Sequence, residues 1–228
     1  MPSSKKTLHF LTSSLATSAG VGMLGYGMST QWSVSEMNCS PRGEQNFTGT
    51  ANVKFELFSC QLAKRSCPSF NTDGNFEVFE LLADVGGASF ILHAIIIGLL
   101  ALTLLSSACS ILITLYNSVS NPYQTYMGPL GLYTCSSISS VLSLLVLVLF
   151  LINTLVVGVP QELVQSNVAV DLKDISTQLQ VGFYLLIPFM VCSVFAILCV
   201  FMYEHSAYTQ RKEQQRPTED APKEIMMY

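Results

Sequence analysis

The chain has 228 residues, of which 50% are hydrophobic and 11% charged, with a formal net charge of −4. An ordinary soluble domain carries roughly a quarter of its residues as charges, so this composition excludes a fully water-facing surface, and its mild acidity excludes a basic nucleic-acid-binding face. Not one Asp, Glu, Lys or Arg occurs from Val85 to Gln161, a run of 77 residues, which requires lipid as the solvent.

Residues 1–7 carry Lys5 and Lys6 and read as a short cytosolic terminus. Residues 8–30 admit two readings, because Ser13, Ser14, Thr17, Ser18, Gly20, Gly22, Gly25 and Gly27 dilute the apolar residues. A cleaved signal peptide would use the two lysines and the small residues around Ala16 and Ala19. The preferred reading is a first membrane span, in which Ser14, Ser18 and Gly22 recur at every fourth residue and give a smooth face for another helix.

Residues 31–87 form a large loop. It holds two acceptor sequons, Asn38-Cys39-Ser40 and Asn46-Phe47-Thr48, of which Asn46 is the better placed because Asn38 lies close to the first span. Val53, Phe55 and Leu57 alternate with Lys54 and Glu56, the period of a half-buried strand, and Trp32 and Val34 begin a similar alternation. Phe76 to Leu82 reads equally as a strand or as an amphipathic helical turn. Cys39, Cys60 and Cys67 lie in this loop, in an oxidising compartment that favours pairing; three cysteines permit three single pairings.

Residues 88–116 and 131–159 each exceed the roughly 20 apolar residues that cross a bilayer. On the first, Ser106, Ser107 and Ser110, and on the second, Ser136, Ser139, Ser140 and Ser143, make low polar flanks suited to close helix packing. His93 and Asn153 are the isolated polar side chains of interest, each read as a structural hydrogen-bonding residue. Between the spans, residues 117–130 form a stiff cytosolic hinge, where Pro122 and Pro129 fix φ and Gly128 and Gly131 allow tight turns. Residues 160–180 are a second, smaller outer loop. Residues 181–203 are the last span, with a bend expected at Pro188, and residues 204–228 are a mixed-charge cytosolic tail. Its end, Met226 to Tyr228, has the hydrophobic-x-hydrophobic pattern that a PDZ domain takes by strand addition.

An even number of spans puts both termini on one side. The basic residues at the ends and the sequons in the first loop make that side cytosolic and the membrane the plasma membrane. Sequence patterns for a phosphate loop, a zinc cluster or paired intramembrane carboxylates are missing. The chain is therefore read as a non-enzyme without cofactor or nucleic-acid partner, and a channel or transporter ranks low.

Tyr116-Asn117, Pro122-Tyr123, Thr125, Gly128-Pro129, Gly131 and Tyr133 resemble the hinge signature of the clarin family, four-span proteins related in architecture to claudins. Met1-Pro2-Ser3-Ser4-Lys5-Lys6-Thr7-Leu8, Trp32 and the tail from Gln210 to Pro217 extend the resemblance; it departs at Glu56-Leu57-Phe58, where the family has Gly-Leu-Phe. The resemblance implies a claudin-like four-transmembrane-helix bundle with a small β-sheet in the large first extracellular loop. From the claudin loop it implies a Cys60–Cys67 disulfide. For function it implies a scaffold or adaptor that organises membrane partners by lateral helix packing, in sensory or epithelial cells. Claudin-like adhesion or a paracellular seal is the alternative.

Overall fold

The computed structural model describes residues 4–41, 43, 47, 49–65, 74–120, 128–167 and 170–214. Helix α1 (Ser4–Met28) is followed by strands β1 (Gln31–Pro41), β2 (Gly49–Glu56), β3 (Ser59–Arg65) and β4 (Gly74–Glu77). Then come α2 (Val78–Val85), α3 (Gly87–Val119) and α4 (Pro129–Leu151), which continues as a π-helical turn (Ile152–Val157). The chain ends in α5 (Val159–Asn167), β5 (Val170–Leu179), α6 (Val181–Tyr184) and α7 (Leu186–Gln214).

The four long helices pack side by side in the order α1-α3-α4-α7. Among the described residues three helical stretches are long and apolar enough to cross a membrane: Gly87–Val119, Pro129–Val157 and Val181–Gln210. Their outward faces carry bare aliphatics such as Leu102, Leu105, Val141 and Leu144, which only lipid can cover without cost.

Helix α1 runs antiparallel to α7 along its length. Phe10 packs with Val200 at one end, and the Ser13 hydroxyl donates to the Ala196 carbonyl at 3.0 Å. A Cβ added at Gly20 would lie only 3.2 Å from that of Cys192, and one added at Gly27 only 3.3 Å from the Gly182 carbonyl. The packed stripe is Phe10, Ser13, Thr17, Gly20, Leu24 and Gly27, alternating spacings of three and four as a helix seam requires. Of the expected Ser14-Ser18-Gly22 face, Ser14 is buried, whereas Ser18 and Gly22 point outward, because the closest approaches fall on Gly20, against α7, and on Gly27, against α6.

The serine flanks of α3 and α4 meet each other. Ser107 donates to Ser139 at 3.1 Å, and the hydroxyls of Ser110 and Ser136 are 2.9 Å apart. Ser143 donates back to the Ser139 carbonyl at 2.7 Å. Ser106 and Ser140 are half-buried at the edges of this seam. Small hydroxyls let the two backbones approach while satisfying one another, which is how a helix pair associates where apolar burial gives no advantage over lipid.

A five-stranded antiparallel sheet of order β4-β3-β2-β1-β5 caps one end of the bundle. The sheet is larger than the first loop alone provides, since β5 is drawn from residues 170–179. Val53, Phe55 and Leu57 are buried as their alternation predicts, whereas Val34 is not. A bulge between Gln31 and Ser33 turns both Trp32 and Ser33 inward and shifts the buried set to Ser33, Ser35, Met37 and Cys39. Residues 76–82 resolve both readings: the strand stops at Glu77 and the helical turn begins at Val78. The expected bend at Pro188 appears as a break at Leu185 between α6 and α7. Pro188 then sits in the first turn of α7, where its missing N–H is least costly.

One core cluster joins sheet and bundle, and Trp32 is its centre. The indole is fully buried, 4.9 Å from Phe150, and its Nε1 donates to the Gly27 carbonyl at 2.8 Å. It lies flat against Gly182, where an added Cβ would come within 2.5 Å of the indole ring and 2.8 Å of Gly27 O. Neither the ring nor the backbone can retreat independently. Gly182→Ala is therefore expected to destabilise the protein by about 1–3 kcal/mol through overpacking, read as a lower melting midpoint of the detergent-solubilised protein. Ala at the open position Gly22 serves as the control that does not lower the midpoint, since Ala is the better helix former there.

Candidate functional site

The outward face of the sheet is the most structured polar surface among the described residues. Successive outward side chains of adjacent strands meet there because the strand period alternates faces. Glu36, Asn38, Asn52, Lys54, Asp174 and Ser176 are among the residues that line a groove of about 560 Å³. Asn52 donates to Glu36 at 3.1 Å and Asn38 to Asp174 at 3.3 Å. An extra residue in β5, opposite the step from Glu36 to Asn38, puts Asp174 at a φ of 53°. That left-handed conformation is one Asp accepts more readily than most side chains. No sequence signal announces this bulge.

The sheet and helices are tied by buried polar contacts on the other face. His93 is fully buried, and its Nε2 lies 2.9 Å from the Leu57 carbonyl, with Phe55 and Phe79 against its ring at 5.6 and 5.3 Å. This matches its reading as a structural residue, while its Nδ1 has no hydrogen-bond partner among the described residues. Asn153 sits in the π-helical turn and is buried, but its Oδ1 has no hydrogen-bond partner among the described residues, so the structural bond expected of it is not seen at that atom. The hydroxyl of Ser89 donates to the Glu162 carboxylate, locking α5 onto the start of α3.

At the opposite end the hinge flanks are held by residues the hinge motif does not contain. The Lys6 ammonium donates to the Ser120 carbonyl at 2.7 Å, and the Thr7 hydroxyl to that of Ser118 at 3.4 Å. A cation on the last carbonyls of α3 also suits its dipole. Tyr116 accepts from the backbone and hydroxyl of Ser120, and Asn117 donates to the Ile113 carbonyl at 2.7 Å. Gly128 and Pro129 begin α4, with proline in its first turn. The Gly131 N–H bonds back to Gly128, and Tyr133 donates to Glu204 at 2.7 Å. Pro122, Thr125, Asn46, Cys67, Met226 and Tyr228 lie outside the described residues.

The cysteines correct the expected pairing. Cys60 carries a free thiol and is buried on the sheet's inner face, opposite Phe55, and Cys39 is the disulfide-bonded one. The pairing implied by the claudin loop fails because the β2–β3 register turns Cys60 into the core. Burial, helped by the Glu56 carboxylate, pushes the Cys60 thiol up to about 12. Native Cys60 should therefore alkylate far more slowly than an ordinary thiol of pKa about 8.5, with a rate still climbing at about pH 10, where the ordinary thiol has levelled off. Non-reducing peptide mapping should recover the Cys39 peptide in a linked pair and the Cys60 peptide unlinked. Rapid native labelling of Cys60, or a Cys60–Cys67 linked peptide, would contradict this assignment.

No family model matches the chain. Full-length comparison finds Clarin-3 of Mus musculus, 31% identical over 232 residues, and Clarin-3 of Rattus norvegicus, 31% identical over 234. Clarin-3 of Homo sapiens is 27% identical over 231 residues. In each case the whole of this chain aligns with the whole of the relative. With its three apolar spans and an end-to-end match at this identity, the chain is a multi-pass membrane protein that belongs to the clarin family.

Proposed function

We propose that the protein is a non-enzymatic four-span scaffold or adaptor that organises partners in the plasma membrane. The observation that carries this reading is where the polar groups go. Buried hydroxyls such as Ser107, Ser110, Ser136 and Ser139 bond within the chain, while the sheet turns a polar groove outward and the helices turn aliphatics outward. The serine seams serve the bundle itself, so lateral association falls to the outward faces of α3 and α4 and to the sheet.

The fourth span is α1. Its antiparallel register against the apolar stretch Val181–Gln210, from Phe10 beside Val200 to Gly27 beside Gly182, supports placing it at the same depth as a helix that crosses. Both termini are then cytosolic, the 117–130 hinge is cytosolic, and the sheet is extracellular and claudin-like. Asn46 is the first glycosylation site and Asn38, half-buried beside Asp174, the second. The hinge motif from Tyr116 to Tyr133 sets the packing of α3 against α4, and Met226 and Tyr228 offer a PDZ ligand. The relatives' family supports a setting in sensory or epithelial cells.

Claudin-like adhesion is the alternative, favoured by the outward groove of the sheet. Proximity labelling at native expression should return specific membrane partners, and non-adherent cells expressing the protein should stay dispersed. Aggregation of those cells without specific partners would transfer the assignment to adhesion. For topology, Asn46→Gln should remove a glycan, and a sequon engineered between residues 117 and 130 should acquire none.

A further inference from the structure

Where α1 ends and the sheet begins, Tyr26, Thr30, Gln31, Glu56, Gln180 and Val181 line a mouth of about 320 Å³ that opens sideways from the bundle. Gln31 and Glu56 face each other across β1 and β2; Gln180 and Val181 lead into α6. Glu56 is the one charged residue in this lining. The lower wall is apolar and open, with Tyr26 63% and Val181 55% exposed.

Below the mouth, the outward face of α1 is shallow. Ser18 is exposed, and an added Cβ at Gly22 or Gly25 meets nothing within 4 Å. Below the mouth, α1 thus presents an open strip of small residues. Because Gly27 and Gly182 are in contact, this mouth lies level with the sheet-side end of the last apolar helix, where hydrocarbon gives way to water.

A carboxylate and an aromatic face set at that level are the chemistry that holds a quaternary ammonium: the ring quadrupole attracts the cation and the carboxylate completes the charge. The amides of Gln31 and Gln180 can donate to the phosphate that such a headgroup carries, and the open strip of small residues leaves room for a straight chain. We propose that the mouth binds the choline headgroup of a phospholipid in the sheet-side leaflet, with an acyl chain lying along α1 over Gly25, Gly22 and Ser18. Charge complementarity selects this occupant, because an anionic headgroup would meet Glu56 unfavourably. The assignment rests on α1 spanning the membrane.

The test uses the full-length protein in detergent with an equimolar mixture of dioleoyl phosphatidylcholine and dioleoyl phosphatidylglycerol, which share their tails, read by native mass spectrometry. Phosphatidylcholine adducts should exceed phosphatidylglycerol adducts by about fivefold to tenfold, the size of one cation–π contact and one exposed charge pair together. Glu56→Gln and Tyr26→Leu should each cut the ratio to about twofold to threefold and together bring it close to one, and Tyr26→Phe should keep it. Equal adducts on the unsubstituted chain, or a ratio that survives Glu56→Gln and Tyr26→Leu, would overturn the proposal. Tyr26 is exposed, so its substitution reads binding even where Glu56→Gln disturbs folding. A sequon placed before α1 that gains sugar in cells would refute the four-span reading separately, by a measurement that does not involve lipid selectivity.

Discussion

Everything at the sheet end depends on the seat of Trp32. A single indole hydrogen-bonds the last turn of α1, presses on the backbone of α6 at Gly182 and meets Phe150 of α4. Sheet and bundle therefore share one core, and the sheet has a fixed height and tilt on the helices. A loop of the same length tethered only at its ends would have no defined outer face. The groove over Glu36 and Asp174 and the mouth beside Glu56 exist because that platform is held from below.

Within the bundle, a different constraint operates. Lipid is as apolar as leucine, so close packing and internal hydrogen bonds must hold the helices together. Glycine at the α1–α7 contact and paired serines at the α3–α4 contact meet that need by two routes: one removes side-chain volume, the other adds short reciprocal hydrogen bonds.

Much of this was legible in the residues. The uncharged run announced lipid, the serine flanks announced helix packing, and the alternation at Val53, Phe55 and Leu57 announced a half-buried strand. What escaped was non-local or one residue wide. The bulge at Trp32 reverses the faces of β1, and a period-two pattern carries no trace of it. The packed face of α1 is not readable from its small residues alone, because glycine and serine occur on several of its faces and only the neighbouring helices choose among them. Cys60 was paired by analogy, whereas its strand register puts it in the core. Lys6 and Ser120 are 114 positions apart, beyond the reach of local pattern. Within the candidate surfaces, individual residues such as Asn38 were visible, but the groove required β5 to arrive beside β1.

That late arrival has a consequence in time. Strand β1 is flanked by β2, made almost at once, and by β5, which follows only after the apolar helices α3 and α4 have been synthesised. At about 5–20 residues per second, the two partners emerge on the order of 10 s apart. For that interval the nascent chain presents a half-zipped ribbon whose free edge includes Asn38, Cys39 and Ser40. Enzymes that modify or oxidise nascent chains have that window in which to act, and it shuts when Leu179 docks.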